Sequence, residues 1–163
     1  MKYIFCPQCK NKLIKKTESF YCENCKETIY LNSKPTASVL IMDKDKVLLG
    51  IRAQDPGKGK YDVIGGFLKL GECPEAGAIR EAEEETGLKI KIISLMGVYM
   101  DVYSTMGEHT LNFVYLGKII GGKMRADDDI AELEWITIDK LPNDPAFASQ
   151  KKVFQDLQKL LKN

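Results

Sequence analysis

The segment from Gly65 to Leu88, GGFLKLGECPEAGAIREAEEETGL, constrains the fold of this 163-residue chain more than any other segment. It begins with two glycines, which let the backbone approach another group closely. Pro74 falls where a helix would begin, because its missing N–H leaves no helical hydrogen bond unmade there. Gly87 is typical of the residue that follows the end of a helix. The segment therefore predicts a glycine loop that leads into one central helix.

Three glutamates of this predicted helix share one face. Glu81, Glu84 and Glu85 stand at positions i, i+3 and i+4, where like charges repel by a few tenths of a kcal/mol. A divalent cation would turn that repulsion into ligation, and Mg²⁺ or Mn²⁺ suits oxygen ligands. The pattern predicts a metal site, and an ordinary exposed acidic face is the alternative.

Four of the five cysteines form two Cys-x-x-Cys pairs, separated by twelve residues: Cys6, Cys9, Cys22 and Cys25. This spacing is typical of a four-thiolate zinc ribbon, whose closed coordination makes the metal structural. Zinc binding would supply on the order of 10 kcal/mol that so short a segment lacks. Two disulfides or four unrelated thiols are the alternatives. Cys73 stands alone.

The cysteine segment is also rich in lysine, at Lys2, Lys10, Lys12, Lys15 and Lys16. Zinc ribbons can bind nucleic acid through such residues, but no aromatic and arginine residues alternate with these lysines in the sequence. A solvated lysine face is therefore favoured, and nucleic-acid binding is left open.

Composition indicates a globular protein, with 44% hydrophobic and 29% charged residues. The net charge of +1 gives the whole chain no attraction to nucleic acid or an anionic membrane. Apolar runs such as 39–42 are too short to span a bilayer, and the N-terminus lacks the apolar stretch of a signal peptide. We therefore expect no membrane partner and a cytoplasmic location.

Alternating and β-branched patterns outside the helix predict strands at 36–42, 46–51, 61–67, 89–98, 98–104, 110–120 and 133–136. A turn is expected around Met106-Gly107, and an exposed loop at 53–61. His109, at a strand start, is expected to be solvated or structural. A C-terminal amphipathic helix is predicted from Phe147, Phe154, Leu157 and Leu161. Together these elements predict an α/β sandwich with a mixed sheet at residues 35–163, preceded by the ribbon at 1–34.

The central segment resembles the Nudix box, G-x5-E-x7-R-E-U-x-E-E-x-G-U with U apolar. Gly66, Glu72, Arg80-Glu81, Glu84-Glu85 and Gly87 fill its fixed positions, a coincidence that an exposed acidic face does not explain. Ribbon and box together resemble the NADH pyrophosphatase and ADP-ribose pyrophosphatase branch. The resemblance implies a Nudix α/β/α sandwich and hydrolysis of a nucleoside diphosphate linked to another moiety.

For the metal, the resemblance and the chemistry of carboxylates agree on Glu81, Glu84 and Glu85. Arg80 is expected to point elsewhere on the helix and to pair with Glu72, which would brace the loop against the helix. Either Glu81 or Glu85, or a later loop, would supply the general base. The sequence leaves that choice open.

One further acid beyond the box is implied by the resemblance. Asp129 is our prediction, with Glu132 and Glu108 as alternatives. Gly66 and Arg52 are predicted substrate contacts, Arg52 at a phosphate, with a plain surface charge as the alternative for Arg52.

Three aromatic residues are candidates for stacking on a base: Phe67, Tyr99 and Tyr103. Phe67 is included among the predicted substrate contacts, although core packing is the favoured role for each of the three.

Two features depart from the family pattern. The segment 143–149 lacks the SQPWPFPxS-like motif of NADH pyrophosphatases, and Lys10 and Lys26 replace the usual knuckle glycines.

From the box and the ribbon together we predict a metal-dependent pyrophosphohydrolase acting on a small nucleotide of the ADP-ribose or dinucleotide kind. A nucleoside triphosphate, an RNA 5′ end, or a non-catalytic sensing module are the alternatives. The resemblance also implies a possible homodimer.

Overall fold

The computed structural model describes residues 3–103 and 108–162. The predicted turn at Met106-Gly107 lies outside the described residues. These residues contain ten strands, in the order β1 Ile14–Lys15, β2 Ser19–Cys22, β3 Glu27–Tyr30, β4 Lys34–Asp43, β5 Lys46–Arg52, β6 Tyr61–Asp62, β7 Ile64–Phe67, β8 Leu88–Val102, β9 His109–Gly122 and β10 Ile130–Thr137. The same described ranges contain two α-helices, α1 Pro74–Thr86 and α2 Ser149–Leu160. No helix among the described residues is both long and apolar enough to cross a membrane.

The N-terminal strands form a small antiparallel sheet of their own, in the order β1-β2-β3. Its core is one cluster around Phe20 and Leu13, together with the buried Cys6 and Cys22. So few apolar side chains cannot stabilise an isolated domain of this size. The cysteines must therefore do more than pack.

The remaining strands form a seven-stranded mixed sheet in the order β10-β5-β4-β9-β8, with β6 beside β5 and β7 beside β4. β4 and β9 run parallel, and the other pairs are antiparallel. Each helix covers one face, as the alternation of side chains along β4 shows. Val39 and Ile41 pack in the cluster that contains Ala78 and Ala82 of α1, whereas Leu40 packs on the opposite side of the sheet.

That opposite side is covered by α2, through Val153, Phe154 and Leu157. Each fully buried aliphatic side chain contributes about 1.5–3 kcal/mol, so the two clusters account for much of the stability. The predicted α/β/α sandwich with a mixed sheet is confirmed.

The end of α1 positions the loop that follows β9, residues 123–129, which we name the acidic loop after its three aspartates. Gly87 adopts a left-handed conformation (φ 67°) that ends the helix. The free carbonyls of the last turn then accept hydrogen bonds from this loop, because Arg125 N–H donates to Thr86 O at 2.8 Å and Asp127 N–H to Glu85 O at 3.1 Å. Asp128 is thereby brought beside the glutamates of α1.

Three sequence predictions need correction. The strands predicted at 89–98 and 98–104 are one strand, β8. Its register shifts interrupt the regular alternation of side chains, which in the sequence looks like the boundary between two strands. The predicted strand 61–67 is two strands, because β6 pairs with β5 and β7 pairs with β4. Phe147 precedes α2 and is not part of it.

Candidate active site

A pocket of about 370 Å³ opens where α1, the glycine pair, the acidic loop and the start of α2 meet. Its wall contains both carboxylates and aromatic rings. The three predicted metal ligands all line it: Glu81, Glu84 and Glu85. The predicted Gly66, Phe67, Arg52 and Asp129 do so too.

Glu85 is the most buried of the three glutamates, at 5% exposure, and its Oε2 accepts a hydrogen bond from Gly65 N–H at 2.9 Å. Burial, together with the nearby charges of Asp62, Glu81 and Asp128, raises the pKa of Glu85 to about 9. Burial likewise raises the pKa of Glu81. Several carboxylates held this close favour a cation among them.

The glycine pair is explained by sterics. A Cβ atom on Gly66 would lie 2.7 Å from Oε1 of Glu81, so only glycine leaves room for that carboxylate. Gly65 has φ +150°, and a Cβ there would lie 2.3 Å from Ala37 O. The two glycines thus let β7 pass directly beneath the carboxylates of α1.

Arg80 lies among the carboxylates, which corrects the expectation that it points elsewhere on the helix. The predicted pair with Glu72 is present, with Nε–Oε1 at 2.7 Å and Nη2–Oε2 at 2.8 Å. Nη1 also donates to Glu81 Oε1 and to Glu84 Oε2, each at 2.7 Å. The guanidinium therefore neutralises part of the acidic cluster and fixes the loop against the helix.

The acidic loop places two aspartates at the pocket, and the sequence singled out only Asp129. Asp128 adopts φ 55° and also lines the wall. It is the charge of Asp128 that acts on Glu81 and Glu85, whereas Asp129 accepts a hydrogen bond from the side chain of Gln54. Asp128 is thus a second candidate ligand that sequence reasoning missed, because three consecutive aspartates give no signal of which one points inward.

The two alternatives to Asp129 lie elsewhere in the described structure. Glu108 pairs with Lys34 at 2.9 Å, and Glu132 is exposed on β10 opposite Ile51. Neither lines the pocket.

Arg52 is buried at 7% exposure, so the surface-charge alternative is wrong. Its Nη1 pairs with Asp62 Oδ2 at 2.6 Å, and its guanidinium lies 5.2 Å from the ring of Phe147. Asp62 also accepts a hydrogen bond from Gln150 at the start of α2, and burial raises the pKa of Asp62. No sequence motif marks Asp62 or Gln150. Only the fold brings them together.

Three aromatic rings that contact one another line the pocket, and we name them the aromatic wall: Phe67, Tyr103 and Phe147. Phe67 meets Tyr103 edge to face at 5.0 Å, and Tyr103 stacks on Phe147 at 5.7 Å and 20°. Core packing, the favoured role from the sequence, is wrong for Phe67 and Tyr103, which line the pocket. It is right for Tyr99, which packs against the cluster under α2 and donates to Asp156.

The four N-terminal cysteines form a second site, with their sulfur atoms all within 4.8 Å of one another. The Sγ atoms of Cys9 and Cys22 are 3.5 Å apart, and those of Cys6 and Cys25 are 3.9 Å apart. A disulfide needs about 2 Å, so the two-disulfide alternative does not apply. Four converging sulfurs fit the tetrahedral demand of zinc.

The two lysines that replace the knuckle glycines adopt the conformation a glycine would, with φ 63° at Lys10 and 60° at Lys26. Each directly follows the second cysteine of its pair. The departure from the family pattern therefore changes the side chain and leaves the turn intact.

Comparison with known proteins places the chain in a family. The sequence model of the NUDIX domain matches residues 32–157. An ADP-ribose pyrophosphatase of Methanocaldococcus jannaschii is 36% identical over 117 residues, which are 72% of this chain and 69% of the relative. An NAD-capped RNA hydrolase of Vibrio atlanticus is 30% identical over 144 residues, which are 85% of this chain and 51% of the relative.

This chain therefore spans about half the length of that second relative. A crystal structure of a NUDIX hydrolase from Nitrosomonas europaea has the same fold, with a TM-score of 0.78, 24% identity and coverage of 96% and 93% of the two chains. The chain belongs to the NUDIX family and, with it, to the class of enzyme that its sequence predicts, a hydrolase of diphosphate bonds.

Proposed function

We propose that this enzyme uses a divalent cation to hydrolyse the diphosphate linkage of an ADP-ribose-like nucleoside diphosphate derivative. The products are a nucleoside monophosphate and a phosphorylated remainder. The observation that carries the proposal is the position of Glu81 and Glu85, both buried in the wall of one pocket beside a glycine pair. The similarity to an ADP-ribose pyrophosphatase favours that substrate class.

The donor set suits Mg²⁺ or Mn²⁺, because all of its members are carboxylate oxygens. Glu81, Glu84 and Glu85 would hold the cation together with Asp128 or Asp129. A bound cation neutralises phosphate charge and lowers the pKa of a coordinated water.

The protein's own groups hold this arrangement in place. Gly65 N–H fixes the orientation of the Glu85 carboxylate, and Arg80 fixes those of Glu81 and Glu84. In the reaction a water oxygen bonds to one phosphorus, the bridging P–O bond breaks, and the water proton passes to a carboxylate. Glu81 and Glu85 are the candidate bases.

The aromatic wall supports a role for Phe67, Tyr103 and Phe147 in binding the base or sugar of the substrate. The guanidinium of Arg52 lies 5.2 Å from the centre of the Phe147 ring, and its charge is paired with Asp62. We therefore propose two roles for Arg52, fixing the position of Phe147 in the pocket and contacting a phosphate of the substrate.

The test is a panel of nucleoside diphosphate derivatives, a nucleoside triphosphate and an NAD-capped oligonucleotide, with phosphate release measured after phosphatase coupling. Glu85→Gln and Glu84→Gln should each lower kcat/KM on the best substrate by about 100-fold or more. Glu83→Gln is the matched control, since Glu83 is an exposed neighbour on the same helix. Retained activity in both test variants would refute the metal assignment.

The four cysteines are proposed to hold one structural zinc ion, in a ribbon at residues 1–34 that precedes a hydrolase domain at 35–163. Their free thiols favour a reducing compartment, so the cytoplasmic location stays our prediction. The homodimer implied by the resemblance also stays a prediction.

A further inference from the structure

One face of the ribbon sheet carries side chains that its core does not use. Phe5 lies opposite Lys12 and Ile14 opposite Tyr21. Directly paired residues of an antiparallel sheet project to the same side, as do residues two apart along a strand. The set we name the outer ribbon face is thus Phe5, Lys12, Ile14, Lys16, Tyr21 and Tyr30, the last paired with Ser19 two residues before Tyr21.

This face is apolar and exposed at the same time. Tyr30 is 68% exposed, Phe5 59% and Ile14 46%. The opposite face buries Phe20 against the cysteine cluster, so the ribbon already has its core. Large exposed rings grouped on one side of so small a sheet indicate a binding surface.

The charge of the ribbon differs from that of the rest of the chain. Residues 1–34 contain seven lysines and three glutamates, whereas residues 35–163 contain 17 basic and 20 acidic residues. Glu27 lies opposite the buried Cys22, away from the outer ribbon face. The near-neutral total therefore conceals a basic ribbon.

The lysines of this face are available to a ligand. Lys16 Nζ lies 4.8 Å from the centre of the Tyr21 ring. Within the described part of the chain, neither Lys12 nor Lys16 has a carboxylate within ion-pair distance. The folded sheet thus brings aromatic rings and these two lysines to one side, a grouping that the linear order of residues does not reveal.

We propose that the outer ribbon face binds a single-stranded nucleic acid chain. Lysines attract the phosphates of such a chain, and its unpaired bases present flat surfaces that stack on Phe5, Tyr21 and Tyr30. A duplex hides those surfaces, so it would bind through phosphates alone. An apolar protein partner would gain nothing from the lysines.

The experiment measures binding of fluorescein-labelled oligonucleotides of about 12 residues, oligo-uridine, oligo-thymidine and a duplex, to the zinc-loaded full chain by anisotropy. Single strands should bind more tightly than the duplex. Their affinity should fall roughly 20-fold between about 50 and 200 mM salt if three phosphates are contacted. Similar affinity for oligo-uridine and oligo-thymidine supports recognition through phosphates and base faces. Tighter binding of oligo-uridine also supports the proposal and indicates an additional contact to the 2′-hydroxyl groups.

Tyr30→Ala should weaken single-strand binding by about 5- to 150-fold, the range found when a stacking aromatic residue is replaced by alanine. Lys12→Glu with Lys16→Glu should abolish it at about 200 mM salt. The matched control is Lys91→Glu with Lys118→Glu, a pair of neighbouring lysines on β8 and β9. Equal loss in the control overturns the proposal, as does weak or salt-independent binding by the native chain.

Two readouts exclude other causes. Zinc content and circular dichroism of each variant confirm that the ribbon is folded, and Tyr30→Phe, which retains the ring, should restore binding. If Tyr30→Ala instead changes the sedimentation coefficient and leaves oligonucleotide binding intact, the face is a contact between two copies and the proposal fails. Hydrolysis of ADP-ribose should be unchanged in all ribbon variants, so the proposed activity and the proposed binding can fail separately.

Discussion

Arg80 and Glu72 form a bidentate ion pair, with both guanidinium–carboxylate distances below 2.9 Å. Glu72 Oε2 also accepts the Lys69 N–H at 2.9 Å. One carboxylate therefore closes the loop between β7 and α1 and anchors it to the helix. Because Arg80 also contacts Glu81 and Glu84, a disturbance at Glu72 reaches the candidate metal ligands.

The first prediction concerns this pair and pH. Hydrogen bonds from Arg80 and from the Lys69 N–H lower the pKa of Glu72 from 4.5 to about 2, so the ionised form of Glu72 stabilises the fold. That contribution is complete above pH 4.5 and is lost as the pH falls toward 2. Glu72→Gln should lower the melting temperature at pH 7. The difference in melting temperature between the variant and the native chain should shrink as the pH falls from 4.5 toward 2. Melting curves by circular dichroism check this, with Glu83→Gln as the control, and a pH-independent difference would contradict it.

The second prediction tests the space beneath Glu81. Gly66→Ala places a methyl group 2.7 Å from Glu81 Oε1, so the carboxylate must move while the backbone conformation remains allowed for alanine. Activity should fall by about 100-fold with little change in melting temperature. Gly121→Ala is the control, because its nearest neighbour atom would be 3.9 Å away. Equal activity in the two variants would show that the position of the Glu81 carboxylate beside Gly66 is not needed for activity.

The third prediction separates the two aspartates of the acidic loop. Asp128→Asn removes the charge near Glu81 and Glu85 while keeping a residue that tolerates φ 55°. It should raise the Mg²⁺ concentration for half-maximal activity by about 10-fold, and Asp129→Asn should raise it less. Titration of activity with Mg²⁺ gives the answer. The reverse order would restore Asp129, the residue predicted from the sequence, as the main ligand.

The fourth prediction concerns the left-handed lysines of the ribbon. In the Lys26→Gly variant, the temperature at which zinc is released should equal or exceed that of the native chain, because glycine adopts φ 60° without strain. Lys15→Gly, in β1, should lower that temperature. A chromogenic zinc chelator followed during heating measures both. Metal analysis should give about one equivalent of zinc per chain.

The fifth prediction addresses the aromatic wall. Phe147→Ala removes the ring between Tyr103 and Arg52 and should raise KM for the nucleotide substrate by about 10-fold, with a smaller change in kcat. Leu161→Ala, a half-exposed residue beyond α2, is the control. A fall in kcat with unchanged KM would instead place Phe147 in the chemical step.

Residues that belong to a fixed local pattern were predictable. The spacing of Glu72 and Arg80 predicts their pair, and the cysteine spacing predicts a cluster that the structure brings within 4.8 Å. Alternation along the chain predicts the strands on both sides of α1, and the family match confirms the enzyme class.

Residues brought together by long-range packing were not predictable. Asp62 lies 88 positions before Gln150, and no local spacing relates them. Phe67 and Tyr103 are aromatic residues of the kind that usually packs in a core, and only the folded chain shows that they line the pocket. Asp128 adopts a left-handed backbone and lies near Glu81 and Glu85, whereas Asp129 bonds Gln54, and three consecutive aspartates in the sequence do not indicate this difference.

The alternation of Val39 and Leu40 toward the two helices has a practical consequence for engineering. The carboxylates are on α1, in one layer, while Gln150 and the adjacent Phe147 belong to the other layer. Libraries that vary residues 146–149, and leave Gln150 and Gln54 with their partners Asp62 and Asp129 in place, should therefore yield altered substrate preference at an undamaged hydrolytic centre. Directed evolution of this enzyme can treat its two layers as separately adjustable parts.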